Sequence, residues 1–77
     1  MFIDNIKEMN YDIDLMIKLV DKQIAKNRVS LFSIKNMQIE GLISDYEYRK
    51  HTELLEGEQY QLFKLKNLLL DLKDMTL

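Results

Sequence analysis

The stretch Glu40-Gly41-Leu42-Ile43-Ser44-Asp45-Tyr46-Glu47 is the strongest break in a chain that has no proline and only two glycines. Gly41 lacks a Cβ and can take the left-handed backbone conformation that closes a helix. Ser44 followed three residues later by Glu47 forms a capping box, in which each side chain bonds the other residue's backbone N–H and starts a new helix. The segment therefore reads as helix, tight turn, helix. The second glycine, Gly57, lies inside a periodic stretch, where it lowers helix propensity by about 1 kcal/mol without ending the helix.

Upstream of the turn, Ile3, Ile6, Asn10, Ile13, Ile17, Val20, Ile24, Asn27, Leu31, Ile34, Gln38 and Gly41 follow alternating spacings of three and four. This is the seam of a helix packed lengthwise against another, and its 3.5-residue period excludes a strand despite the β-branched residues. Phe2, Met9, Met16 and Met37 widen the stripe. Lys7, Asp14, Asp21, Arg28 and Lys35 form a charged edge expected to face water, with Asp14 and Lys18 as an i, i+4 pair. Two readings stay open near Asn27-Arg28-Val29-Ser30: one continuous helix of about 57 Å, or a break with Ser30 capping a third helix.

Downstream, the expected seam is Tyr48, His51, Leu55, Glu58, Leu62, Leu65, Leu69, Leu72 and Thr76, flanked by Leu54, Leu68 and Met75. Folding the chain back at Gly41 sets residue i opposite roughly residue 85−i, which pairs the two stripes along their whole length. The expected fold is all-α: one domain over 1–77, a long coiled-coil-like antiparallel helical hairpin with helices at about 3–40 and 45–75 joined by turn 41–44. In this register Asn27 falls opposite Glu58. The pair reads either as a buried polar layer that specifies pairing, or as a seam Asn with Glu58 turned out to solvent.

Apolar residues also recur away from both seams: Tyr11, Leu15, Ala25, Val29, Phe32 and Ile39 on the first helix, and Tyr60, Phe63, Leu70 and Leu77 on the second. A lone hairpin is one layer thick and leaves these side chains in water, and small domains without staples often meet this shortage by self-association. The expectation is a homodimer, most simply a four-helix bundle of two hairpins, with Tyr11, Leu15, Val29, Phe32, Ile39, Tyr60, Phe63 and Leu70 as interaction residues. The alternative is a monomer with an apolar surface.

Composition narrows function by exclusion. Seventy-seven residues make one small domain, and the absence of cysteine removes disulfides, thiolate metal sites and thiol nucleophiles. Met1-Phe2-Ile3-Asp4 has neither the basic nor the apolar region of a signal peptide, and the longest apolar run, Leu68-Leu69-Leu70, is far too short for a bilayer span, so the expected location is the cytoplasm. His51 is the only histidine. Glu47 and His51 share a helix face, but a di-iron bundle needs two Glu-x-x-His motifs. Glu53, Glu56, Asp71 and Asp74 fall at solvated positions, and no glycine-rich phosphate loop exists. The expectation is a non-enzyme with no cofactor and no metal.

Lys18, Lys22 and Lys26 form an i, i+4, i+8 row, the feature from which nucleic-acid contact would be argued. Against it, residues 1–40 carry six acidic and six basic side chains and the remainder seven and five, giving a net charge of −2 and no strongly basic face. Mixed signs on the polar faces also argue against a membrane surface. Eight Ile, nine Lys, five Asn, five Met, four Tyr and three Phe make 34 residues with AT-rich codons, against five Gly, Ala and Arg together, which points to a low-GC genome. One alanine and five methionines argue against a designed sequence.

Residues 41–50, Gly-Leu-Ile-Ser-Asp-Tyr-Glu-Tyr-Arg-Lys, resemble the turn of SHOCT-type segments and that of the coiled-coil hairpin of large serine recombinases. The resemblance covers ten of 77 residues and implies an interaction hairpin; the sequence contains neither a catalytic serine domain nor a zinc ribbon. Together these features lead to the expectation of a small self-associating protein–protein interaction module. The expected role is a phage or mobile-element accessory factor that inhibits or adapts a host protein. A nucleic-acid-associated dimer using the lysine row and a structural assembly component are the two alternatives.

Overall fold

The computed structural model describes residues 2–76, with side-chain surroundings described for residues 11–75. Two helices, α1 (Phe2–Ile39) and α2 (Asp45–Thr76), pack against each other as a helical hairpin. The molecule measures 60 × 14 × 12 Å. Its radius of gyration, 17.6 Å, compares with about 11–12 Å for a compact domain of this length, so the rod has little interior.

The turn follows from its residues. Gly41 has φ +76°, and the helix end is a Schellman motif: the Leu42 N–H donates to the Met37 carbonyl at 2.9 Å and the Gly41 N–H to Gln38 at 3.0 Å. Three residues on, the Glu47 N–H donates to Ser44 Oγ at 3.1 Å and the Ser44 N–H to Glu47 Oε1 at 3.4 Å, completing the capping box. Ile43 and Tyr48, both half-buried, occupy the two positions of a hydrophobic staple. Gln38 Nε2 donates to Asp45 Oδ1 at 3.0 Å and ties the two helix ends together.

Helix α1 continues through Asn27–Ser30 without a break. The Ser30 hydroxyl donates to the Lys26 carbonyl one turn back, at 3.2 Å, and so caps nothing ahead of it. Its inward residues are Ile13, Ile17, Val20, Ile24, Asn27, Leu31, Ile34 and Gln38, all buried or half-buried. The side chains of Ile3, Ile6 and Asn10, with Phe2, Lys7 and Met9, lie outside the described residues, as do those of Thr76 and Leu77.

Helix α2 departs from the expected register. Tyr48, Leu55, Leu62 and Leu69 face inward, but the alternate positions are Thr52, Gln59, Lys66 and Lys73 in place of His51, Glu58, Leu65 and Leu72, which are exposed. Two inter-helix ion pairs accompany this register. Asp14 and Asp21 line one edge of α1, and Lys73 Nζ and Lys66 Nζ reach them at 2.6 and 2.7 Å. The lysine stems lie along the seam while their heads reach the carboxylates at its edge. Asp14 thus pairs across the hairpin with Lys73, and the expected Asp14–Lys18 pair is replaced by an inter-helix bond. The resulting core is small: Ile13, Val20, Ile24 and Leu69, with Ile17 and Leu62 packed against it.

Candidate interaction faces

The seam divides the rod into two long faces that differ in chemistry. On one side run the ion pairs Asp14–Lys73 and Asp21–Lys66. On the other lies an open groove of about 640 Å³ lined by Gln23, Gly57, Glu58, Gln61, Leu62 and Leu65.

Helical spacing carries the groove face along both helices. Residues seven apart from Gln23 and Leu65, and the positions three or four from them, bring Met16, Leu19, Leu68 and Leu72 to this side. Leu65, Leu68 and Leu72 are 45, 55 and 49% exposed, values that no residue expected to lie in or beside a closed seam should show. Leu54, Met37 and Met75 are exposed as well. The apolar density is greatest in the half of the rod away from the turn. Nearer the turn, the same face carries Met37 and Leu54 among the polar Lys26, Ser33, His51, Glu58 and Gln61, all exposed.

The aromatic residues singled out in the sequence take the other side and the back. Tyr11, Leu15, Val29, Phe32, Ile39, Tyr60, Phe63 and Leu70 are all exposed, from 39% for Phe63 to 72% for Ile39. On this side they are interleaved with charge. Arg28 and Lys35 of α1 continue the row of Asp14 and Asp21, and Arg49 and Glu56 of α2 precede Phe63 at spacings of seven. Leu15 and Val29 lie on the back of α1, away from α2 and from Phe63.

Asn27 is 3% exposed and Glu58 is exposed at the groove, so of the two readings the hairpin takes the one with Asn27 in the seam and Glu58 turned to solvent, and no Asn27–Glu58 layer forms within it. Asn27 instead takes a hydrogen bond within its own helix, accepting from Gln23 Nε2 at 3.3 Å, while its Nδ2 is buried without a partner. Thr52 Oγ1 on α2 is likewise buried and unpartnered. His51 is exposed, Thr52 having taken the inward position, and Glu47 is committed to the cap. Glu53, Glu56, Asp71 and Asp74 are exposed. Among the described residues, no cluster of three or more potential metal ligands occurs. Lys18, Lys22 and Lys26 are exposed along the outside of α1, and Lys66 and Lys73, the lysines of α2 that approach α1, are directed to Asp21 and Asp14. Among the described residues, no helix is long and apolar enough to cross a membrane.

The leucine face is what sequence reading assigned wrongly. Leu65 and Leu72 were expected inside the hairpin, and their exposure turns them from core into surface. The available signal was an excess: residues 54–75 contain more apolar positions than one seam between two helices can take.

No protein-family model, curated protein or solved structure matches this chain.

Proposed function

We propose that this protein is a non-enzymatic, self-associating interaction module whose hairpin is completed by a second copy and which then presents a helical face to a protein target. One observation carries the reading. The chain exposes 6378 Å², against about 5,000 Å² for a compact monomer of 9.3 kDa, an excess of about 1,400 Å². Much of what is exposed is large and apolar, including seven leucines of the two helices at 40% or more. A standard protein–protein interface removes about 800 Å² from each partner and obligate homodimers about 1,000–2,500 Å², so the excess falls in the obligate range.

Self-association makes stability depend on concentration, because a partner that binds only the folded chain shifts folding by mass action. Raising the protein from about 1 to 100 μM should raise the midpoint of thermal unfolding by several degrees, followed by circular dichroism. A midpoint independent of concentration, with the mass of one chain, contradicts the reading. The composition favours a low-GC source and supports an accessory role on a phage or mobile element, acting as inhibitor or adaptor of a host protein. A target captured in nuclease-treated lysate and lost on Phe32→Ala or Phe63→Ala supports that role, whereas loss of every partner with nuclease favours nucleic-acid association instead.

A further inference from the structure

We infer that the second copy docks on the leucine face, with the two turns at the same end, to give a four-helix bundle in which every neighbouring helix is antiparallel. The inference rests on the self-association reading and adds the face and the symmetry.

The face follows from charge. On the ion-pair side, a partner would have to cover Asp14, Asp21, Lys66 and Lys73 at the very edge of the seam, and desolvating such pairs offsets the gain from burying the aromatics between them. On the groove side, the corresponding edge positions in the half away from the turn are Met16, Leu65 and Leu72, with Leu19 and Leu68 beside them and, among the described residues, no ion pair to strip of water. The apolar area there can be buried without that penalty.

The symmetry follows from where the leucines lie along the rod. They occupy the same level on both helices: Met16 and Leu19 of α1 stand level with Leu68 to Leu72 of α2, as the Asp21–Lys66 and Asp14–Lys73 bonds on either side show. A two-fold axis along the rod keeps levels matched, so the Met16 and Leu19 level of one copy meets Leu65, Leu68 and Leu72 of the other. The same operation sets Lys26 of one copy within one helical turn of the level of Glu58 of its partner, opposite charges in the half nearer the turn. A two-fold axis across the rod at its midpoint would lay the leucines on that half, burying Glu58, Gln61 and Lys26 against apolar side chains.

The chain has no native cysteine, so one introduced thiol can be labelled without further changes. Spin labels on Tyr46→Cys, at the exposed start of α2, report the separation of the two turns. With the turns together, the labels should lie within about 30 Å, two helix diameters plus the label arms. Leu68→Glu and Tyr60→Glu, both at exposed positions, test the face in parallel, with helix content followed to confirm that the hairpin persists. The expected result is a short label distance, a Leu68→Glu protein with the mass of one chain, and a Tyr60→Glu protein that remains a dimer. A label distance comparable with the 60 Å rod overturns the symmetry. Dissociation by Tyr60→Glu but not Leu68→Glu overturns the face, and both results leave self-association standing. A wild-type protein with the mass of one chain overturns the inference together with the reading beneath it.

Discussion

The inward faces of α1 and α2 are built on different principles. On α1, Ile13, Ile17, Val20, Ile24, Leu31 and Ile34 fill the seam, and a single buried Asn interrupts it. On α2, one inward row is apolar, Tyr48, Leu55, Leu62 and Leu69, and the other is Thr52, Gln59, Lys66 and Lys73. The remaining leucines of α2 point elsewhere. Helix α1 thus keeps its β-branched row for α2 and adds Met16, Leu19 and Met37 on the groove side, while α2 divides its leucines between α1 and that second surface. A helix with two apolar stripes set side by side is suited to the middle of an assembly and poorly suited to the edge of a lone hairpin.

The sharpest way to break this comparison is to truncate the α1 row that faces α2. Ile24→Ala removes a side chain that is 4% exposed, and the loss should be about 2–4 kcal/mol in urea unfolding at fixed protein concentration. A loss below about 1 kcal/mol would mean that the α1 seam is not the principal core. Asn27→Leu should act in the opposite direction, stabilising by about 1–2 kcal/mol, because Nδ2 is buried without a partner and Gln23 remains exposed to solvate its own amide. A destabilised variant would show that the amide serves the fold.

The two glycines give a smaller and more discriminating pair. Gly41→Ala forces an L-residue into φ +76° and should cost about 1–2 kcal/mol even though a Cβ would meet nothing within 4 Å. Gly57→Ala, with equally open space but helical backbone, should stabilise by about 0.5–1 kcal/mol. Thermal melts of the two variants should move in opposite directions. The smallest effect is expected at Lys66→Met. Its ion pair with Asp21 is partly exposed and worth well under 1 kcal/mol, and methionine keeps the stem over the seam. Unfolding should change by less than about 0.5 kcal/mol and lose part of its salt sensitivity.

How much of this could be read from the residues differs between the helices for the same physical reason. The α1 seam from Ile13 to Gln38 is legible because its residues, mostly β-branched, recur at unbroken spacings of three and four with a charged row, Asp14, Asp21, Arg28 and Lys35, along one edge. The turn was legible because Gly41, Ser44 and Glu47 each carry a local mechanism that needs no tertiary contact. The second helix was legible only by half. Leu55, Leu62 and Leu69 belong inward in either register, but Leu65 and Leu72 compete with Lys66 and Lys73 for the alternate row. Hydrophobicity alone assigns the leucines inward; the bonds of Lys66 and Lys73 to Asp21 and Asp14 depend on which residues the fold brings opposite, and no local pattern states that. The aromatic positions, Phe32 and Phe63 among them, were read as outward and are exposed. The leucine face is hidden in the sequence because two of its residues, Leu65 and Leu72, fit the seam spacing as well.

The central claim is that a second copy covers what the hairpin leaves in water. Sedimentation equilibrium of the full chain at about 10 μM tests it most directly, since an interface of about 800 Å² per partner sustains association in this range. The account predicts twice the 9.3 kDa chain mass, falling to a single chain with Leu68→Glu. A wild-type mass of 9.3 kDa, from a protein that still unfolds cooperatively, contradicts it.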